Sequence, residues 1–203
     1  MSSRLKADTG LLVAFEGLDQ SGKQTQAELL RDRLTAVGRT VRLLSFPDYG
    51  TAIGGEIGRA LRGERDYTAD VMQLLYVTNR YEYKGEILRA KEAGTILVCD
   101  RYMASSVAYG EAQGLDRDWL IDIQRYLPPP DITFLLDIAP DDSARRKIAG
   151  RDKFERDLAM LARVRESYLG QASQPKWVRL DAARDPDTIA ADVWAVVSRD
   201  GDR

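Results

Sequence analysis

Five short apolar runs recur along the chain, at residues 11–15, 41–46, 95–99, 132–136 and 177–180, and each is followed by polar segments with apolar residues at helical spacing. Residues 95–99 and 132–136 are continuous in their apolar character, the pattern of parallel strands covered on both faces. After the first run, Ala27, Leu30, Leu34 and Val37 recur every three or four positions and Gly38 supplies a stop, which predicts a helix. Ile53, Ile57, Ala60 and Leu61 mark a short helix ending near Gly63. A longer one is predicted over 69–92, with Val71, Leu74, Leu75 and Leu88 on its apolar face and a bend at Gly85. Residues 103–113 and 116–127 read as helices, the second with Trp119, Leu120, Ile123 and Tyr126 on one face until Pro128-Pro129-Pro130 stops it. Residues 141–168 are basic and helical with a break near Gly150. Asp185-Pro186 is a cap-plus-proline entry to a last helix carrying Ile189, Val193 and Val197. Strands alternating with helices in this order predict a doubly wound α/β fold around a five-stranded parallel sheet. The whole chain, 1–203, is expected to form one domain, with 1–10 as a flexible tail.

Ligands of such sheets sit beyond the carboxyl ends of the strands. The first run leads there into Gly17-Leu18-Asp19-Gln20-Ser21-Gly22-Lys23, in which two glycines separated by four residues let the backbone curl until several N–H groups point inward. Lys23 adds a cation for β- and γ-phosphates, and the helix that follows contributes its positive end. Phosphate loops of this type carry Ser or Thr after the lysine to hold magnesium; this chain has Gln24, with Thr25 displaced by one. The third and fourth runs end in Asp100 and Asp137, so the pattern offers two acids that could reach magnesium or its waters, and the adjacent Arg101 favours Asp100.

Composition narrows the chemistry. With 44% hydrophobic and 31% charged residues, a formal net charge of −2 and no long apolar segment, the chain has the makeup of a cytoplasmic globular protein that engages no nucleic acid and no membrane. The N-terminal residues lack a signal peptide's apolar core. The single cysteine, Cys99, makes no internal disulfide, and the absence of histidine excludes His-based triads and His-ligated metals. Asp, Glu, Arg, Lys and hydroxyls remain.

Several motifs together resemble the thymidylate kinases, over about residues 11–180. They are Phe15-Glu16-Gly17-Leu18-Asp19-Gln20-Ser21-Gly22-Lys23-Gln24-Thr25-Gln26, Phe46-Pro47-Asp48-Tyr49, Tyr76-Val77-Thr78-Asn79-Arg80, Asp100-Arg101-Tyr102-Met103-Ala104-Ser105-Ser106, Ala108-Tyr109, Leu127-Pro128-Pro129-Pro130-Asp131 and Phe154-Glu155-Arg156. The resemblance implies a P-loop nucleoside monophosphate kinase that moves the γ-phosphoryl group of ATP to dTMP with Mg2+, in a family that usually forms homodimers. By it, Gly17, Leu18, Asp19, Gln20, Ser21, Gly22, Lys23, Gln24 and Thr25 bind ATP, while Gln24 and Asp100 attend the metal. Asp19 also reaches the sugar 3′-hydroxyl. Phe46, Pro47 and Tyr49 flank dTMP, Tyr76 covers its base, Arg80 bonds O4 and Arg101 binds the acceptor phosphate. Tyr109 blocks a 2′-hydroxyl, and Ser105 and Ser106 either line the base pocket or cap a helix start. Tyr49 stands where many members carry arginine nearby, which places more weight on Arg101.

Arg145, Arg146, Lys147, Arg151 and Lys153 fall in the family's lid, about 143–156. Gln20 cannot neutralise developing charge, so the resemblance assigns the catalytic cation beside Lys23 and Arg101 to Arg151 or Arg146. Two rivals within nucleotide chemistry stay open: another nucleoside or nucleotide kinase, against which Tyr76, Arg80 and Tyr109 speak, and a nucleotide-binding relic, suggested by Gln24. A GTP switch should carry Asn-Lys-x-Asp, whereas the sole asparagine, Asn79, precedes Arg80.

Overall fold

The structure, a computed structural model, describes residues 10–146 and 157–200. The expectations for Lys147, Gly150, Arg151, Lys153, the 154–156 motif and the tail before Gly10 lie outside the described residues. Five strands, β1 (Leu12–Glu16), β2 (Val41–Ser45), β3 (Ile96–Asp100), β4 (Ile132–Asp137) and β5 (Trp177–Asp181), form one sheet in the order β2-β3-β1-β4-β5. Every pairing is parallel. Connecting and flanking them are α1 (Lys23–Ala36), α2 (Ala52–Leu61), α3 (Ala69–Glu82), α4 (Lys84–Glu92), α5 (Met103–Ala112), α6 (Arg117–Asp122), α7 (Pro140–Arg146), α8 (Leu158–Gln171) and α9 (Pro186–Asp200). The expected doubly wound α/β architecture is present.

β1 is buried throughout, and its alternate residues serve two cores on opposite faces of the sheet. Val13 and Phe15 pack with Leu30 and Leu34 of α1, Val164 and Tyr168 of α8 and Val193 of α9. Leu12 and Ala14 pack with Leu44, Phe46, Ile87 and Tyr102. After β1 the chain moves outward to β2, returns to β3, then crosses β1 to reach β4. The sense of winding therefore reverses between β1 and β3, and the loops leaving these two strands border one crevice.

Four helix expectations need correction. The segment 69–92 is two helices that meet at Tyr83, not one bent at Gly85. At this junction Tyr83 donates its hydroxyl to Asp48 and sets its ring edge-on to Phe46. The buried face of this segment carries Met72, Gln73, Val77, Arg80 and Ile87, whereas Val71, Leu74 and Leu88 are exposed. Val37 is likewise exposed at the end of α1. The helix expected over 116–127 is regular only at Arg117–Asp122, then continues in turns that leave Tyr126 outside. At α9, Asp185 accepts from the N–H groups of Asp187 and Thr188, the cap the sequence announced. Among the described residues no helix is long and apolar enough to cross a membrane.

Candidate active site

The loop between β1 and α1 is pressed onto the sheet. Gly17 has φ +140°, and a Cβ there would lie 2.5 Å from the carbonyl oxygen of Leu136 in β4, so only glycine fits. Gly22 and Gln20 are also left-handed, at φ 93° and 58°. The loop carbonyls point in several directions: Leu18 accepts from Lys23 Nζ at 2.7 Å, Asp19 from the Ser143 hydroxyl at 2.7 Å, and Gln20 from Arg146 Nη1 at 3.1 Å. Arg146 also donates to the carbonyl of Ala182 at 2.9 Å and so straps α7 across the loop. Burial pushes the Lys23 ammonium down to about 8, and Arg101 adds to this while Asp19, Asp100 and Glu16 oppose it. Ser21 Oγ is buried without a partner. Gln24 and Thr25 are exposed on the first turn of α1, with Gln24 Nε2 donating to Glu28 at 2.9 Å.

Arg101 follows β3 and also adopts a left-handed conformation, φ 64°, while its N–H donates to Phe15 at 2.9 Å. Two non-glycine residues held left-handed at one crevice represent about 1–3 kcal/mol of backbone strain each, the kind a site retains to fix direction. The Arg101 guanidinium turns back to the phosphate loop, donating to the Gly17 carbonyl at 3.1 Å and forming an ion pair with Asp19. It stands 5.4 Å from the centre of the Tyr109 ring, whose hydroxyl donates to Asp19 at 3.1 Å. Burial would raise the Asp19 pKa, but Arg101 and Lys23 hold it down to about 2. Arg101 is thus joined to Asp19 and not to its neighbour Asp100.

Glu16, given no role by the sequence reading, organises the floor beneath this pair. It is fully buried and accepts from the N–H groups of Tyr102 and Ser105 at 2.8 and 3.3 Å, the Ser105 hydroxyl at 2.6 Å and the Tyr168 hydroxyl at 3.1 Å. The available signal was an acid closing a strand that is otherwise apolar.

Beyond Arg101 opens a cleft lined by aromatic and polar side chains, the composition of a small-molecule site. Tyr76, Arg80, Ser106 and Phe46 line it, with Pro47 and the exposed Tyr49 at the loop after β2. Arg80 is buried and donates to Ser106 at 2.7 Å; burial lowers its pKa, and the Glu16 carboxylate is the foremost opposing charge. Ser105 and Ser106 both border the cleft, and α5 begins without a side-chain cap. Asn79 serves the scaffold: its side chain accepts from the Asp48 N–H at 2.8 Å and donates to Thr51 and Glu82, each at 2.9 Å. That knot holds the Phe46-Pro47 loop against α3.

The two acids at strand ends have different surroundings. Asp137 is gripped by Arg165 at 2.6 and 3.1 Å and by Arg179 at 2.6 and 3.1 Å. Asp100 keeps Oδ1 buried without a partner. The ion cluster at Asp137 is therefore structural, and its pH dependence has a definite sign. Burial would raise the Asp137 pKa, yet the two arginines hold it below the usual carboxylate value. Its stabilisation is present above about pH 4 and lost as pH falls through the lower folded value. Because both arginines are partly exposed, Asp137→Asn should cost only about 1–2 kcal/mol at pH 7. That deficit should shrink in denaturation curves taken progressively below pH 4, with kcat within about twofold of wild type. A deficit unchanged at low pH would contradict the assignment.

A phosphate loop, a cationic crevice and an adjoining cleft on one doubly wound sheet define a P-loop phosphotransferase of small molecules. The family described as Thymidylate kinase matches residues 15–193. The chain is 32% identical to the thymidylate kinase of Dictyostelium discoideum over 188 residues, 92% of this chain and 84% of that one. It is 33% identical to the thymidylate kinase of Plasmodium falciparum over 191 residues, 94% and 90% of the two chains. The solved thymidylate kinase of Candida albicans, described as having broad substrate specificity, superposes with a TM-score of 0.81 at 27% identity, covering 96% of this chain and 93% of that one. The chain belongs to the thymidylate kinase family and is an enzyme.

Proposed function

We propose that the chain transfers the γ-phosphoryl group of ATP to the 5′-phosphate of dTMP, giving ADP and dTDP, with ATP on the loop 17–25 and dTMP in the cleft beside Tyr76. The observation that carries this reading is the position of Arg101, whose guanidinium bridges the loop and the cleft. Phosphoryl transfer needs alignment and charge neutralisation more than covalent help. Lys23 lies where it can leave the Leu18 carbonyl for the β- and γ-phosphates, and the N-terminus of α1 points its N–H groups at them. Arg101, a planar fork, grips the acceptor phosphate between two donors. Asp19, held ionised by Arg101 and Lys23, orients the sugar 3′-hydroxyl. Arg146 enters from the described end of the lid, and Arg151 is the second lid arginine assigned to the transferring group.

The donor set fits magnesium. An orphaned carboxylate oxygen on Asp100, at the end of β3, suits an ion held mostly by water and phosphate oxygens. Asp100, through water, and the Gln24 amide oxygen would hold it, and it would supply charge neutralisation on the transferring group. The exposed Val71, Leu74 and Thr78 on one face of α3 support a homodimer built on that helix, and the buried thiol of Cys99 accords with a cytoplasmic setting. A coupled ATP/dTMP assay with purified protein tests the reaction; absence of turnover with dTMP and magnesium would refute it.

Tyr109 should set the sugar preference. Its ring is held by Arg101 and its hydroxyl by Asp19, so its bulk is fixed beside the sugar position. Tyr109→Ala should raise kcat/KM for the ribose analogue of dTMP relative to dTMP by about tenfold. An unchanged ratio in a folded variant would show that the ring excludes nothing.

A further inference from the structure

Gln73 lies in α3 three residues before Tyr76 and seven before Arg80, so all three share one face of the helix and all three line the cleft. Its side chain is 1% exposed, and neither Nε2 nor Oε1 has a hydrogen-bond partner. A buried amide with both ends unmet is rare, because each end has lost water without replacement. Its position on a ligand cleft indicates that the partner is the ligand. Arg80 also keeps Nε buried and unmet after its Nη1 bond to Ser106.

The chemistry of the two residues is complementary. Arginine can only donate, so Arg80 can engage a carbonyl oxygen of a pyrimidine but cannot receive its ring N–H. An amide donates and accepts side by side, matching the N3–H and adjacent carbonyl of a thymine or uracil ring. Three hydroxyls near the cleft are engaged: Ser105 with Glu16, Tyr109 with Asp19, and Ser106 as the acceptor of Arg80. Resting on the assignment of dTMP to this cleft, we propose that Gln73 reads the base: Oε1 accepts from N3–H and Nε2 donates to a flanking carbonyl, while Tyr76 covers the ring. Specificity then comes from a donor-only residue and a mixed donor–acceptor residue two turns apart on one helical face.

Wild-type enzyme, Gln73→Met and Arg80→Met should be assayed with dTMP and with its N3-methylated derivative. In the wild type, methylation should lower kcat/KM by tenfold or more, since it removes the donor that Gln73 receives. Gln73→Met, close in volume, should raise KM for dTMP about tenfold, leave KM for ATP within twofold, and narrow the gap between the two substrates. If the wild type uses the methylated compound as readily as dTMP, the proposal fails whether or not the variant folds. If Arg80→Met raises KM for dTMP while Gln73→Met leaves it and the gap unchanged, Gln73 does not read the base although the cleft still holds it. If neither variant affects dTMP, the assignment of the cleft itself falls.

Discussion

Arg101→Met should lower kcat for dTMP phosphorylation about a thousandfold or more. Arginine at a transferring phosphoryl group contributes on that scale, far beyond what an exposed charge gives to folding. The geometry concentrates the effect: a left-handed backbone aims the side chain, and Gly17, Asp19 and Tyr109 hold its guanidinium between loop and cleft. Arg101→Lys should recover little, because a single ammonium cannot grip two oxygens at once. Arg146→Ala is expected to reduce kcat about a hundredfold with KM for dTMP nearly unchanged, since Arg146 reaches the Gln20 end of the loop and not the cleft. Steady-state kinetics on both variants, with melting curves as the control, distinguish the two roles. Near-normal turnover in well-folded Arg101→Met would remove the bridge on which the proposed reaction rests.

Glu16→Ala should be the most destabilising single change near the site. It deletes a fully buried carboxylate, strands two backbone N–H groups and leaves the Ser105 and Tyr168 hydroxyls to each other at 2.9 Å. Charge-assisted bonds of this kind are worth about 1.5–3 kcal/mol each before rearrangement, so a net loss of about 3–5 kcal/mol is expected. For a domain of this size that corresponds to a melting temperature lower by about 10 °C. Glu16→Gln keeps the volume and one acceptor and should lose about half as much. A melting temperature within about 2 °C of wild type for Glu16→Ala would mean that Tyr102 and Ser105 find other partners.

Much of the fold was legible because its signals are local. The continuous apolar runs in β3 and β4 follow from strands covered on both faces, and Asp185-Pro186 announces α9 by a side-chain cap. The phosphate loop was legible for the same reason: glycines, lysine and the following helix are neighbours in sequence. What escaped was set by contacts distant in the chain. The break at Tyr83 coincides with its contacts to Asp48 and Phe46, and the ownership of Asp137 depends on Arg165 and Arg179. The buried face of α3 was misassigned because it is polar: Gln73, Asn79 and Arg80 point inward, toward a scaffold knot and a ligand cleft, while Val71 and Leu74 point out. Apolar periodicity tracks the inner face only where the interior is oily.

The ion pair of Arg101 with Asp19 also gives the two proposed halves of the site a shared contact through which one would feel the other. One partner stands on the loop assigned to the donor nucleotide, the other is the residue proposed for the acceptor phosphate, and each holds the other in place. A ligand that draws Arg101 toward itself alters the charge facing the donor loop, and a ligand on the loop alters the hold on Arg101. Reciprocity then requires that whatever factor ATP imposes on dTMP affinity, dTMP imposes on ATP affinity. Binding measured for either nucleotide alone therefore describes a different equilibrium from the one in the ternary complex.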